Sequence, residues 1–195
     1  LAANGIIDGY VRAFCWRGSE MMAISAQETK IHLAVAAWQW PSYFDPETKM
    51  KGITLDIADW KRPSPESAPV HAKAAGLYMI CTLSKHAAEK KGFQDALMLD
   101  YRGYLAEATG ANVFFVDKER TIHTPIADCF LDGITRRTVI ALAESLQMKV
   151  VQRHLTLDDL SEMTECFLTG TAAEVTPVSQ IGDASFTPGH ISRQL

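Results

Sequence analysis

The sequence predicts a mixed α/β protein with many antiparallel strand pairs, and three observations predict it. Short runs rich in aromatic and β-branched residues alternate with Gly-, Pro- and Asp-containing turns. Several of these runs follow one another through tight turns, the pattern of antiparallel neighbours. Two other segments place apolar residues at helical spacing. The chain has 195 residues, 47% hydrophobic and 22% charged, enough for one generous domain, or one domain and part of another, with a sizeable core.

Along the chain, "YVRAFCWRG" (10–18) and "KIHLAVAAWQW" (30–40) read as strands. "PSYFDPETKMKG" holds Pro41, Pro46 and Gly52 and reads as a loop. "ITLDIADWKRP" (53–63) reads as a strand and "PSPESAP" as a connector. The segment 71–92 reads as a helix with Leu77, Ile80, Cys81 and Ala87 on its apolar face, Lys73 at its mouth and Gly92 as C-cap. "ALMLD", "YLAEATGANVFFV" and "TIHTP" read as strands joined by the turns "YRG" and "DKER". "LDGITRRTVIALAESLQMKV" is a second helix, with Val139, Leu142, Ala143 and Leu146 on one face. "MKVVQRHL" is a strand and "TLDDLSEM" a short helix with Thr156 and Asp159 at capping-box spacing. "ECFLTG" and "EVTPVSQIG" are strands around a glycine turn.

The formal net charge is −4, and no basic face marks a nucleic-acid or membrane partner. Cys15, Cys81, Cys129 and Cys166 are far apart, each among apolar neighbours, with no CxxC and no metal-ligand spacing. Reduced structural thiols in a cytoplasmic protein are therefore expected. No signal peptide or apolar run of transmembrane length is present in the residues given. The chain opens at Leu1 without methionine and ends in "GHISRQL", which reads as an interrupted helix, so a piece of a longer protein is expected.

Four features carry chemistry. Lys73 stands where a helix dipole disfavours a cation, so it is either a solvated residue or a reactive amine. The second helix opens with Gly133, Ile134 and Thr135 followed by Arg136 and Arg137. Its free N–H groups suit an anion, although Asp132 as a cap with two solvated arginines explains the pattern equally well. "FLTGTAAEVTP" ends a strand in small residues and hydroxyls that let the backbone approach a ligand, or it is an ordinary turn. Glu107 in "YLAEATGANVFF" is either a solvated strand-end carboxylate or one that holds a proton on a ring nitrogen. An amine, a carboxylate and phosphate-friendly turns together suggest pyridoxal phosphate.

"AKAAGLY", "YLAEATGANVFF", "LDGITRRTVIALA" and "FLTGTAAEVTPV" occur in this order and spacing. Together they resemble the fold type IV pyridoxal-phosphate enzymes, specifically the branched-chain amino acid aminotransferases, over nearly the whole chain. The resemblance implies that Lys73 is the Schiff-base lysine and moves the proton between the substrate α-carbon and the cofactor. It implies that Glu107 faces the pyridine nitrogen and that Tyr78 lies near the phenolic oxygen. Ile134, Thr135 and Thr171 match phosphate contacts, and Thr171 with Ala172 matches donors to the substrate α-carboxylate. Tyr10 and Arg12 match substrate-facing residues, the arginine serving the glutamate side-chain carboxylate. Tyr43 falls in the interdomain loop. The implied substrates are leucine, isoleucine and valine, with 2-oxoglutarate as acceptor, in a homodimer with no metal.

The implied organisation is the end of a small α/β domain over 1–37, an interdomain loop over 38–47, and a large cofactor-binding domain of mixed sheets forming a pseudo-barrel over 48–195. Most of the family's small domain, with its phosphate-binding arginine, is not among these residues. Ala111 stands before Asn112 where the family often has a second glutamate, so the network behind the cofactor is expected to differ. Rival readings are a D-amino acid aminotransferase, an aminodeoxychorismate lyase, an (R)-amine transaminase, or a non-catalytic protein that kept the fold. "GTAAEVTP" and the long segment before Lys73 favour the branched-chain enzymes, and the joint presence of Lys73 and Glu107 opposes a non-catalytic role.

Overall fold

A computed structural model describes residues 1–22, 24–40 and 46–195. The chain divides into two units, Leu1–Tyr43 and Phe44–Leu195. The first is an antiparallel ribbon of Tyr10–Arg17 (β1) and Ile31–Trp38 (β2), in register from Tyr10 opposite Trp38 to Arg17 opposite Ile31. Because side chains alternate along a strand, Tyr10, Arg12, Phe14 and Trp16 share one face with His32 and Trp38. Ring contacts run along that face, from Tyr10 on Trp38 to Phe14 on Trp16 and Trp16 on His32. Val11, Ile31, Leu33 and Val35 share the other face and are exposed. Cys15 on this ribbon is exposed too, unlike the buried thiol its neighbours suggested.

The second unit is built on a nine-stranded sheet. Its strands are Ile53–Ile57 (β3), Asp95–Leu99 (β4), Leu105–Ala108 (β5), Asn112–Asp117 (β6), Ile122–Thr124 (β7), Val150–Gln152 (β8), Met163–Gly170 (β9), Glu174–Ile181 (β10) and Ala184–Ser185 (β11). β10 pairs with β3, β3 with β4, β4 with β5 and β5 with β6. β9 then pairs with both β6 and β10, which closes these six strands into a barrel. β7 and β8 extend one side and β11 the other.

The period of two along each strand decides what the closure buries. Ile53, Leu55, Leu97, Val113, Phe115, Cys166, Leu168 and Val178 belong to one core cluster, the barrel interior. The alternate residues Phe114, Val116 and Phe167 point outward and join a second cluster with Val139 and Ala143 of the helix Ile134–Ser145 (α3). Phe114 and Phe167 stack with centroids 5.1 Å apart. The helix Tyr78–Lys90 (α2), preceded by a 3-10 turn at Ala75–Leu77, buries Cys81, Ser84 and Ala88. Gly92 follows it at φ +91°, a left-handed conformation that glycine adopts without strain.

Several expectations are corrected. Pro46–Lys51 is a helix (α1), not loop: proline is favoured at a first helical position, and Glu47 and Lys51 pair one turn apart. Residues 41–45 of that expected loop, Tyr43 included, lie outside the described residues. The strand expected over 53–63 ends at Ile57, although the chain stays beside β4 as far as Arg62, whose N–H donates to Leu99 O. "YLAEATGANVFFV" is two antiparallel strands joined at Thr109–Ala111. Leu142 and Leu146 of the expected α3 face are exposed, while Val139 and Ala143 carry the packing. Asp159 does cap the segment before it, accepting bonds from Thr156 N and Oγ1.

Removing a buried leucine from the barrel costs transfer free energy and leaves a cavity. Leu168 is 1% exposed, so Leu168→Ala is expected to lower unfolding free energy by about 2–5 kcal/mol in a denaturant titration.

Candidate active site

The barrel's outer face carries a polar row. Strand register sets Glu107 of β5 opposite Asn112 of β6, and Asn112 opposite Thr169 of β9. All three are at most 8% exposed. Each is the sequence neighbour of an inward-facing apolar residue (Ala108, Val113 and Leu168), so alternation turns the polar residue outward. Glu107 is therefore not the solvated strand-end carboxylate that the residues alone left open.

Burial of this carboxylate is only partly compensated. Arg62 Nε lies 3.3 Å from Glu107 Oε1, close enough for charge attraction, yet among the described residues that N–H is not aligned on any acceptor. The Arg62 guanidinium also donates to Cys81 Sγ at 3.5 Å. Asn112 Nδ2 donates to Glu107 Oε2 at 3.2 Å and to Leu131 O at 2.9 Å. Desolvation outweighs the attraction of Arg62 and Lys73 and pushes the Glu107 carboxyl up to about 8. The same burial pushes the Cys81 thiol up, against the opposing pull of Arg62.

Lys73 precedes the helix rather than standing inside its mouth. It lies two residues before the 3-10 turn, is exposed, and holds Nζ 5.7 Å from the centre of the Tyr78 ring. Tyr78 is the first residue of α2 and half-buried. The amine acts on Glu107 through space, so lysine, tyrosine and carboxylate share one locality.

The other end of the row meets two turns. α3 starts after Gly133 with no side-chain cap and no acid in its first turn, leaving the N–H groups of Ile134 and Thr135 open. Asp132 does not cap them, because it pairs with Arg136 at 2.7 Å. Arg136 itself is not solvated, and its guanidinium is spent on partners within the chain. It is 2% exposed and donates to Asp132, Pro125 O and Gln152. Arg137 is the solvent-facing member of the pair. Thr171 and Ala172 sit in the three-residue turn between β9 and β10, which Glu174 opposite Gly170 closes. The Thr169 hydroxyl, just before this turn, is buried without a hydrogen-bond partner among the described residues.

Sequence reasoning missed Arg62 and the role of Asn112. Arg62 sits between a lysine and a proline, with no periodicity to mark it, and backbone pairing with Leu99 and Asp100 brings it beside Glu107. Tyr10 and Arg12 lie side by side on one face of the ribbon. Elsewhere, Asp100, Asp128 and Cys129 converge, but Arg102 fills their centre with contacts of 2.7 and 2.8 Å to the two carboxylates.

A carboxyl that holds its proton more tightly folded than unfolded stabilises the fold at low pH. For Glu107 that contribution is complete below about 4.5 and lost as pH rises through about 8. In the cofactor-free protein, the melting temperature of the wild type minus that of Glu107→Gln is expected to fall across this window and level off above it. A flat difference would mean that Glu107 titrates like a solvated carboxylate.

The Amino-transferase class IV family model matches residues 1–181. A probable branched-chain-amino-acid aminotransferase of Rickettsia conorii is 42% identical over 91% of this chain and 60% of its own length. The branched-chain-amino-acid aminotransferase of Pseudomonas aeruginosa is 36% identical over 91% of the chain and 58% of its own. Among solved structures, the branched-chain aminotransferase of the archaeon Thermoproteus uzoniensis with norvaline superposes with a TM-score of 0.92 at 29% identity, over 99% of this chain and 64% of that one. The chain thus spans about 60% of the length of the Rickettsia relative. Its barrel, its buried polar row and these matches agree: the chain belongs to the class IV aminotransferase family.

Proposed function

We propose that this chain is the cofactor-binding part of a pyridoxal-phosphate-dependent aminotransferase acting on branched-chain L-amino acids, with 2-oxoglutarate as acceptor. The observation that carries the reading is the under-compensated Glu107 carboxylate, buried beside Arg62 and in the electrostatic field of the exposed Lys73 amine. A protonated ring nitrogen is the group such a carboxylate lacks. The residues fit the cofactor at its other end as well, where open N–H groups of α3 and the Thr169–Ala172 turn offer donors to a phosphate. The relatives' names supply the branched-chain substrates.

Pyridoxal phosphate, when bound, supplies an electron sink that stabilises negative charge at the substrate α-carbon. Lys73 would hold the group covalently through Nζ and afterwards carry the proton at that nitrogen. Its exposure leaves the amine accessible to an incoming substrate. Glu107, protonated in the free protein, would give up its proton and place negative charge where a ring proton must stay. Tyr78, whose ring lies beside Lys73 Nζ, would orient the phenolic oxygen. Ile134, Thr135 and Thr171 would bind the phosphate, and Thr171 with Ala172 the substrate carboxylate. For Tyr10 and Arg12 as substrate-facing residues, the support is the family resemblance and their shared face on β1. Residues 48–195 are read as the large domain. A homodimer belongs to this reading, as does a cytoplasmic location, the latter supported by the four free cysteines.

Borohydride reduction with pyridoxal phosphate, followed by peptide mapping, is expected to label Lys73. Lys73→Ala should lose the label and fall at least about a thousandfold in leucine turnover, a loss near the upper range of a single general base, while its melting temperature stays close to wild type. Label on another lysine would overturn the assignment. In the whole protein, transfer from L-leucine to 2-oxoglutarate without transfer from D-alanine is expected, and the reverse would favour a D-amino acid enzyme.

A further inference from the structure

We propose that Asn112 is a positioning residue that ties the carboxylate end of the site to its anion-binding end, and that Gly133 is the glycine this tie requires. The inference rests on the pyridoxal-phosphate reading above and concerns how the two ends are held in register.

The Asn112 side chain is buried between β5 and the segment that leads into α3. Its Nδ2 donates to Glu107 Oε2 at 3.2 Å on one side and to Leu131 O at 2.9 Å on the other. Both partners are acceptors when Glu107 is ionised, so only the amide nitrogen can face them, and both of its protons are used. Leu131 stands two residues before Gly133, where the open first turn of α3 begins. One amide therefore fixes the carboxylate oxygen and the entry to the anion-binding turn together.

The remaining atom of the amide explains the glycine. A Cβ at residue 133 would lie 2.4 Å from Asn112 Oδ1. Gly133 has φ −60°, a value open to any residue, so the requirement is space and not backbone conformation. Any side chain there must push Asn112 out of its place, and with it both donated bonds. The neighbouring Thr169 hydroxyl, next in the row and without a partner among the described residues, is left facing out of the barrel for a bound group.

The test compares the wild type, Asn112→Asp, Gly133→Ala and the double variant of the full chain. Aspartate keeps the shape of asparagine but donates neither bond. Two readouts are taken: affinity for pyridoxal phosphate by absorbance titration, and amide hydrogen exchange of residues 131–135 in the cofactor-free protein. Each single variant is expected to weaken binding about tenfold or more, the scale of one lost hydrogen bond to an ionised group. Each should also speed exchange in that segment. The double variant should be no worse than the more affected single one, since both changes break the same tie.

Additive losses, or faster exchange with unchanged affinity, would overturn the proposal and leave Asn112 a merely structural residue. Lost affinity with unchanged exchange would confine Asn112 to Glu107 and equally overturn it. Should the buried charge of Asn112→Asp prevent folding, Gly133→Ala alone carries the test, because it displaces the amide without adding charge. Failure of the wild type to bind would instead sink the cofactor reading, and the inference with it.

Discussion

The cost of burying one carboxylate organises the site. Glu107 is removed from water within the sheet, and neither the Arg62 guanidinium at 3.3 Å nor the Asn112 amide at 3.2 Å fully replaces its hydration. An ion pair buried without aligned hydrogen bonds recovers only part of its desolvation cost. The carboxyl consequently holds its proton to about pH 8 in the free protein. A positive ring nitrogen placed against it would complete the pairing, so the deficit in the free state becomes a source of affinity in the loaded one.

The barrel makes this arrangement possible. β9 pairs with β6 and β10 at once, so the strand ring has no open edge between the polar row and the turns beside it. Inward residues such as Val113 and Leu168 supply the core, and the same pairing register presents Asn112 and Thr169 side by side outside. A one-residue slip of β6 would turn Asn112 into the barrel and Val113 out of it, so hydrophobic patterning and site geometry select the same register. Arg136, in the first turn of α3 and bonded to Asp132, Pro125 and Gln152, braces the turn that opens this helix.

Much of this was legible in the sequence because it is local. The alternation in β9 and β10, the amphipathic α3 and the turn after Gly170 are written in consecutive residues. Lys73, Glu107, Thr135 and Thr171 were singled out through motif resemblance, because they sit in short strings, and the roles proposed for them rest on that resemblance together with the burial of Glu107 and the uncapped start of α3. What was not legible depends on distant pairing. Arg62 is fixed behind Glu107 by backbone contact with Leu99 and Asp100, residues far along the chain. Asn112 looks like one more strand residue until Leu131 is beside it. Pro46 read as a loop because proline usually breaks regular structure, whereas a first helical turn has no use for the missing N–H. Arg136 and Arg137 look alike in sequence, and it is the approach of α3 to Pro125 and Gln152 that buries one and leaves the other solvated.

The most direct test is the protonation of the ring nitrogen itself. Protein loaded with pyridoxal phosphate labelled with ¹⁵N in the ring can be followed by nitrogen NMR from pH 6 to pH 9. If the Glu107 carboxylate, steadied by Arg62 and Asn112, is the partner of that nitrogen, the signal stays at the shift of a protonated pyridine throughout the range. A signal at the shift of a neutral pyridine at pH 7 would contradict the account, because the buried carboxylate would then have no cation to hold.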